Sequence, residues 1–364
     1  MSAVIVPVRL EEVEREGKLI SYAVETAKSR AYLYLTGPLA AGDPSPAQLD
    51  QLARCFEPVA RASPQFDLVP LFPCVGWEPE RLAELPGVEE VVAAAERLDE
   101  MHALLDKINA ARERLQLPAV SLTLTAGGPL PQQQQPPSPG DVGEPGGEQQ
   151  GPLGRRGAEH AVQQPAQQAQ HAQHQQQHGE PTAAPMPVTE AQVPQSRVLG
   201  EWQGPLRFRK VAMGGTFDRL HAGHRLLLAA TALVTTSQIF VGVTAQKLLQ
   251  NKKERELLES YESRAAAAVD YLKAVNPKLE VFSGPLNDPN EPPPAATVAD
   301  FEALVVSEET IPGAIAINNT RAQLGFEPLV VVVVRVIAPQ PGAEKLSSTE
   351  LRVQEAAALK AGAH

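Results

Sequence analysis

Apolar residues along this chain recur in two rhythms. "PAQLDQLARCFEPVARA" (46–62), "AGHRLLLAATALV" (222–234), "ESYESRAAAAVDYLKAV" (259–275) and "STELRVQEAAALKAG" (348–362) place them three and four apart, the spacing of a helix face. The stretch from Val88 to Leu115 is read as helical on the same grounds. Short β-branched runs read as strands: "AYLYLTGPL" (31–39), "FDLVPLF" (66–72), "RFRKVAM" (207–213), "QIFVGVTA" (238–245), "LEVFSGPL" (279–286), "FEALVVSEE" (301–309) and "PLVVVVVRVIA" (328–338). Strands alternating with helices predict an α/β fold with a parallel sheet covered on both faces. The unbroken run Val330–Val334 fits a strand buried on both sides.

Composition divides the chain into three expected regions: 1–126 as a smaller α/β region, 127–203 as a linker and 204–364 as a second α/β domain. The linker is rich in Gln, Pro, Gly and Ala. It cannot bury enough apolar surface to offset its ordering entropy, so disorder is expected there. Its His160, His171, His174 and His178 read as part of a solvated biased tract, and no metal site is assigned. Such a tether would let residues 1–126 move independently, so that residues from about Gly200 suffice for activity.

No run of 18 or more apolar residues occurs, and the N-terminus lacks a signal-peptide core. Two cysteines, Cys55 and Cys74, imply no disulfide framework. A cytoplasmic protein with no membrane partner is expected. The net charge of −11 argues against nucleic-acid binding but leaves room for a local basic pocket.

The candidate chemistry lies in "VAMGGTFDRLHAGH" (211–224). Gly214 and Gly215 follow a strand and allow close backbone approach by a ligand. A helix starts near Ala222, where unpaired N–H groups and the dipole favour an anion. His221 and His224 stand three apart, so both imidazoles can face that anion. Asp218 is read as pinning the turn. A second stretch, "EKLSSTELR" (344–352), opens the last helix. Ser347 with Glu350 is a capping-box pattern, and its N–H groups and hydroxyls offer another anion site that Arg352 can reach. Two helix N-termini facing one crevice suit a triphosphate.

The first stretch resembles the G-T-F-D-x-x-H-x-G-H signature of the nucleotidyltransferase superfamily. With "VGVT", "YESR", "EALVVSEET" and "KLSSTELR" it resembles, in order and spacing, the eukaryotic-type phosphopantetheine adenylyltransferases, over about Phe208 to Val353. The resemblance implies a Rossmann-like domain that transfers the adenylyl group of ATP to 4′-phosphopantetheine, with Mg2+ accompanying ATP. It implies catalytic roles for Thr216, His221, His224 and Lys252 or Lys253. Nucleotide binding would fall to Gly214, Gly215, Thr216, Phe217, His224, Ser347, Ser348, Thr349 and Arg352. Acceptor binding would fall to Thr216, Lys253, Arg264 and Arg321. Residues 1–126 are left for protein partners or regulation, or as a degenerate relative of the catalytic fold.

Two stretches depart from the family. Ser263 stands where Glu is common, and "NDPNEPPPAAT" (287–297) replaces a loop close to D-P-x-G-P-T. No P-loop follows the domain, so a fused kinase is not expected. Two rivals stay open: a CTP-dependent cytidylyltransferase of phospholipid head-group synthesis, whose R-T-x-G-I-S-T-T motif is missing before Ser347, and a non-catalytic binding relative.

Overall fold

The computed structural model describes residues 2–125, 197–199, 202–288, 290–338 and 345–362. The first half folds as β1 (Ala3–Arg9), α1 (Val13–Thr26), β2 (Arg30–Thr36), α2 (Pro38–Ala41), α3 (Pro46–Ala62), β3 (Asp67–Leu71), β4 (Val88–Ala94), α4 (Leu98–Arg114) and β5 (Ser121–Thr125). Its five strands are all parallel, in the order β3-β2-β1-β4-β5. Helix α3 begins where the sequence says it should. Ser45 caps it by accepting from Gln48 N–H at 3.3 Å, and Pro46 occupies the first turn, where a missing N–H costs nothing.

The second half contains β6 (Arg197–Leu199), β7 (Phe208–Gly215), α5 (Ala222–Val234), β8 (Thr235–Thr244), α6 (Tyr261–Val275), β9 (Glu280–Leu286), α7 (Pro294–Thr297), β10 (Ala303–Ser307), α8 (Ile311–Gln323), β11 (Val330–Val334) and α9 (Ser348–Gly362). The sheet order is β6-β11-β10-β7-β8-β9. Apart from β6, which runs antiparallel to β11, this sheet is parallel. Stripped of β6, it repeats the strand order of the first half. In each sheet the order reverses beside the first strand, and the crevice at that reversal is where such folds take ligands.

The two crevices differ. In the first half, the carboxyl ends of β1, β2 and β4 are joined by a polar network. Arg97 donates to Glu16 at 3.2 Å, to Glu100 at 2.7 Å and to Thr36 Oγ1 at 3.2 Å, while Arg9 donates to Glu100 at 2.8 Å. Burial raises the Glu16 carboxyl's pKa against the opposing pull of the Arg9 N–H and the Arg97 guanidinium. Its central pair, Arg97 and Glu16, is nearly buried, with side chains 9% and 8% exposed. In the second half the same position is a cavity.

The structure revises three expectations. Val88–Ala94 is strand β4 and not helix. Val88, Val91 and Val92 fit a helical spacing, but a strand between two neighbours and buried on both faces carries no alternation to betray it. Residues 197–199 lie inside the expected linker yet form the edge strand β6. The rest of that linker through Gly200, with its four histidines, lies outside the described residues.

The last revision concerns the first half's independence. The two halves share one buried apolar cluster. Helix α3 packs on α5, and β3 contacts both α5 and α6. Buried hydrogen bonds cross the joint: Tyr271 Oη to Leu68 O and Trp77 Nε1 to Val275 O, both at 2.7 Å. Residues 2–125 are therefore not a freely moving module. Among the described residues no helix is long and apolar enough to cross a membrane.

Candidate active site

A cavity of about 450 Å3 opens at the carboxyl ends of β7, β8, β10 and β11. Gly214, Gly215, Thr216 and Phe217 form one wall, and His221, Gly223 and His224 of the α5 entry form the next. Ser347, Ser348, Thr349 and Arg352 close it from the start of α9. The eleven residues expected to act from the two anion-binding turns and Lys252 thus border one space. Four cations border it (Lys252, Arg335, Lys345 and Arg352) against one acid, Glu309. The pocket is locally basic in a chain of net charge −11.

The first turn is held in an uncommon shape. Phe217 and Arg219 adopt left-handed backbone angles, φ +53° and +47°, at a cost of about 1 kcal/mol each. The Phe217 ring is fully buried 5.6 Å from the His224 ring, and Arg219 donates to Glu355 at 2.6 Å. At Gly215 a Cβ would sit 2.9 Å from Phe217 Cζ, so any larger residue would have to displace that buried ring. At Gly223 a Cβ would come within 3.2 Å of the His221 ring, so glycine is what lets that ring lie against the helix start.

Asp218 does more than pin its turn. It is fully buried, accepts from Glu259 N–H at 3.0 Å and pairs with Arg352 Nη1 at 2.5 Å. Arg352 also donates to Thr349 Oγ1 and to Lys253 O, each at 3.1 Å. One guanidinium thereby ties the α9 turn to the α5 turn and to the loop after β8. Ser347 accepts from Thr349 N–H at 3.2 Å and so caps α9, while Glu350 N–H goes to the Ser347 carbonyl and not to its hydroxyl as the expected capping box would have it.

The His221 and His224 rings stack with centroids 3.9 Å apart and planes 20° apart. Both Nδ1 atoms are buried and lack a hydrogen-bond partner among the described residues. Burial pushes the His221 pKa down to about 4, helped by Arg225 and opposed by Asp218. Burial, then His221 and Arg225, lower that of His224 as well. Burial thus favours the neutral form of both imidazoles, and an anion bound beside them would pull both pKa values back up.

That neutrality has a stability consequence. The unfolded chain takes up these protons below its ordinary histidine pKa of 6.5, whereas the folded protein resists until about 4 for His221. The stability is complete above pH 6.5 and lost as pH falls toward 4, on the order of 3 kcal/mol for His221 in the limit. Urea midpoints measured at pH 7 and pH 5 should drop further for the wild-type protein than for a His221→Asn, His224→Asn double variant. Equal drops in the two proteins would contradict the depressed values.

Known proteins align with this half of the chain. Residues 212–354 match the family described as cytidylyltransferase-like. The phosphopantetheine adenylyltransferase of Saccharomyces cerevisiae is 40% identical over 161 residues, which are 43% of this chain and 52% of the yeast protein. That of Methanopyrus kandleri is 38% identical over 150 residues, 40% of this chain and 90% of the archaeal protein. That of Pyrococcus abyssi is 33% identical over 147 residues, again 40% of this chain and 90% of the relative. The match thus spans about half the length of the yeast relative and nine-tenths of the archaeal ones. The chain belongs to the phosphopantetheine adenylyltransferase family of nucleotidyltransferases.

Three residues that the family resemblance assigned to catalysis or acceptor binding stand elsewhere. Lys253 does not border the cavity, and what it supplies is its carbonyl, to Arg352. Lys252 does border it, and its ammonium has no partner among the described residues. Arg264 lies beneath the site, fully buried, with Nη1 donating to Thr216 O at 2.6 Å and Nε to Glu259 O at 3.1 Å. It supports the Thr216 turn from below and does not border the cavity. Arg321 is farther off. Its five N–H donors meet five carbonyls, those of Glu327, Ala295, Val298, Ala299 and Phe301, at 2.8 to 3.2 Å. With every donor committed, it is a structural strut and not an acceptor ligand.

The cavity also contains residues that sequence reasoning passed over. Arg335 follows β11, Ser307 and Thr310 flank the end of β10, and Lys345 pairs with Glu309. Arg335 did carry a signal: a charged residue closing a run of five valines marks the carboxyl end of a buried strand.

Proposed function

We propose that this protein transfers the adenylyl group of ATP to 4′-phosphopantetheine, giving 3′-dephospho-CoA and pyrophosphate, in the cytoplasm. The observation that carries this is the convergence of two helix N-termini, two stacked histidines and Arg352 on one basic cavity. A phosphate oxygen of the acceptor attacks the α-phosphorus in line, and the bond from that phosphorus to the β-phosphate oxygen breaks. No covalent enzyme intermediate forms. The barrier is charge crowding, so the protein acts by positioning and by electrostatic stabilisation.

Thr216 sets the acceptor phosphate against the α-phosphate. His221 and His224 donate to the oxygens on which charge builds. Lys252 bridges the acceptor and α-phosphates, and Ser348, Thr349 and Arg352 hold the leaving pyrophosphate. Magnesium neutralises that leaving group when bound. The Asp218 carboxylate is committed to Arg352 and Glu259 N–H, so the phosphates themselves are the natural ligands for the ion.

The test is pyrophosphate release by the full chain. ATP with 4′-phosphopantetheine is compared with phosphocholine and phosphoethanolamine, and each acceptor is repeated with CTP. Release confined to ATP and 4′-phosphopantetheine, with dephospho-CoA seen by mass, is the expected result. Release with CTP and a head-group phosphate would move the protein to a cytidylyltransferase role, and silence in every pairing would leave a binding relative.

A further inference from the structure

Nothing in the family resemblance assigns Arg335, yet it borders the cavity directly after β11 and is only 7% exposed. Its Nη2 donates at 2.5 Å to Glu57 Oε1, and Glu57 belongs to α3 in the first half of the chain. The same half reaches the α5 entry. Pro64 O accepts from Ala222 N–H at 2.7 Å, which is one of the four orphan donors of that helix. Asp67 accepts from Arg225 Nη1 at 2.8 Å, one residue after His224.

We propose that Arg335 is a nucleotide-phosphate-binding residue of this cavity, and that Glu57 is the positioning residue that holds its guanidinium there. The first half is then a working part of the site. The chemistry fits. A guanidinium is planar, always charged and carries five donors, so it can serve a carboxylate and a phosphate together. Its place at the carboxyl end of β11 faces the same space as Ser348, Thr349 and Arg352, which makes the triphosphate its ligand. A carboxylate so close to an anion site would repel the ligand if unpaired, and Arg335 neutralises it. This inference rests on the nucleotide reading of the cavity given above.

The experiment exchanges the charges. ATP with magnesium, and separately inorganic tripolyphosphate, are titrated calorimetrically into the full chain and into R335A, R335K, E57A and the swap E57R/R335E. Thermal unfolding is recorded for each. R335A should weaken ATP and tripolyphosphate alike by about tenfold or more, and E57A by a smaller factor of about threefold. R335K, which keeps the charge but loses the fork, should fall between wild type and R335A. The swap should recover the unfolding temperature lost in the single variants but not the ATP affinity, because it places a carboxylate against the phosphates.

A swap that recovers stability and affinity together would mean that the pair only clamps two halves of the chain, and the proposal would be overturned. So would an R335A protein that binds ATP as wild type does. If the wild-type protein binds ATP but does not adenylylate 4′-phosphopantetheine, the activity assigned above fails while the binding comparisons still decide the role of Arg335. A wild-type protein that binds no ATP overturns both.

Discussion

Replacing His221 by alanine is expected to lower kcat by on the order of 100-fold or more, with a much smaller change in the KM for ATP. The reason lies in what the ring does before substrate arrives. His221 is buried and neutral, and its Nδ1 has no protein partner among the described residues. A donor held in place in a low-dielectric wall needs no reorganisation when charge builds on the α-phosphate, so its effect falls on the transition state. Gly223 is what permits the close packing of that ring on the helix start. Steady-state rates with ATP varied at saturating acceptor would check the expectation, with the unfolding temperature of the variant as the control for folding. An unchanged kcat with a raised KM would reduce His221 to a ground-state contact.

The second large effect concerns the first half of the chain. A fragment beginning at residue 202 is expected to unfold at a temperature lower by about 10 °C or more, or to lose its cooperative transition. It should also lose most of its activity. The cut removes the partners of Tyr271, Val275, Ala222, Arg225 and Arg335 in one step. It also opens a shared apolar cluster to water. Mixing the fragment with a separately produced 2–125 fragment should recover part of both losses. A fragment with a sharp wild-type transition and wild-type kcat/KM would show that the joint is incidental.

Most of the second half was legible because its local signals agree. Helices α5 and α9 begin and end within a residue of where caps and apolar spacing place them, as α3 does in the first half. The motif residues were legible too, since a strand, two glycines and His-x-Gly-His specify a turn geometry by themselves. Charged residues were harder. Arg264 and Arg321 look like ligands in one dimension, but a guanidinium surrounded by carbonyls is recognised only when those carbonyls are placed in space. Arg335 was missed for the opposite reason. Its partner Glu57 lies 278 positions away, and no local pattern links them. Strand β4 was lost because a doubly buried strand has no polar face to mark its period.

Arg321 bears on how this chain can vary. The segment that departs from the family, "NDPNEPPPAAT", runs directly into the backbone that Arg321 grips at Ala295, Val298, Ala299 and Phe301. Each of those bonds is made to a main-chain oxygen, which every amino acid carries, proline included. A fastening of that kind reads no side chains. It lets the loop's wording drift, prolines and all, while the arginine beneath it stays the part that could not be exchanged.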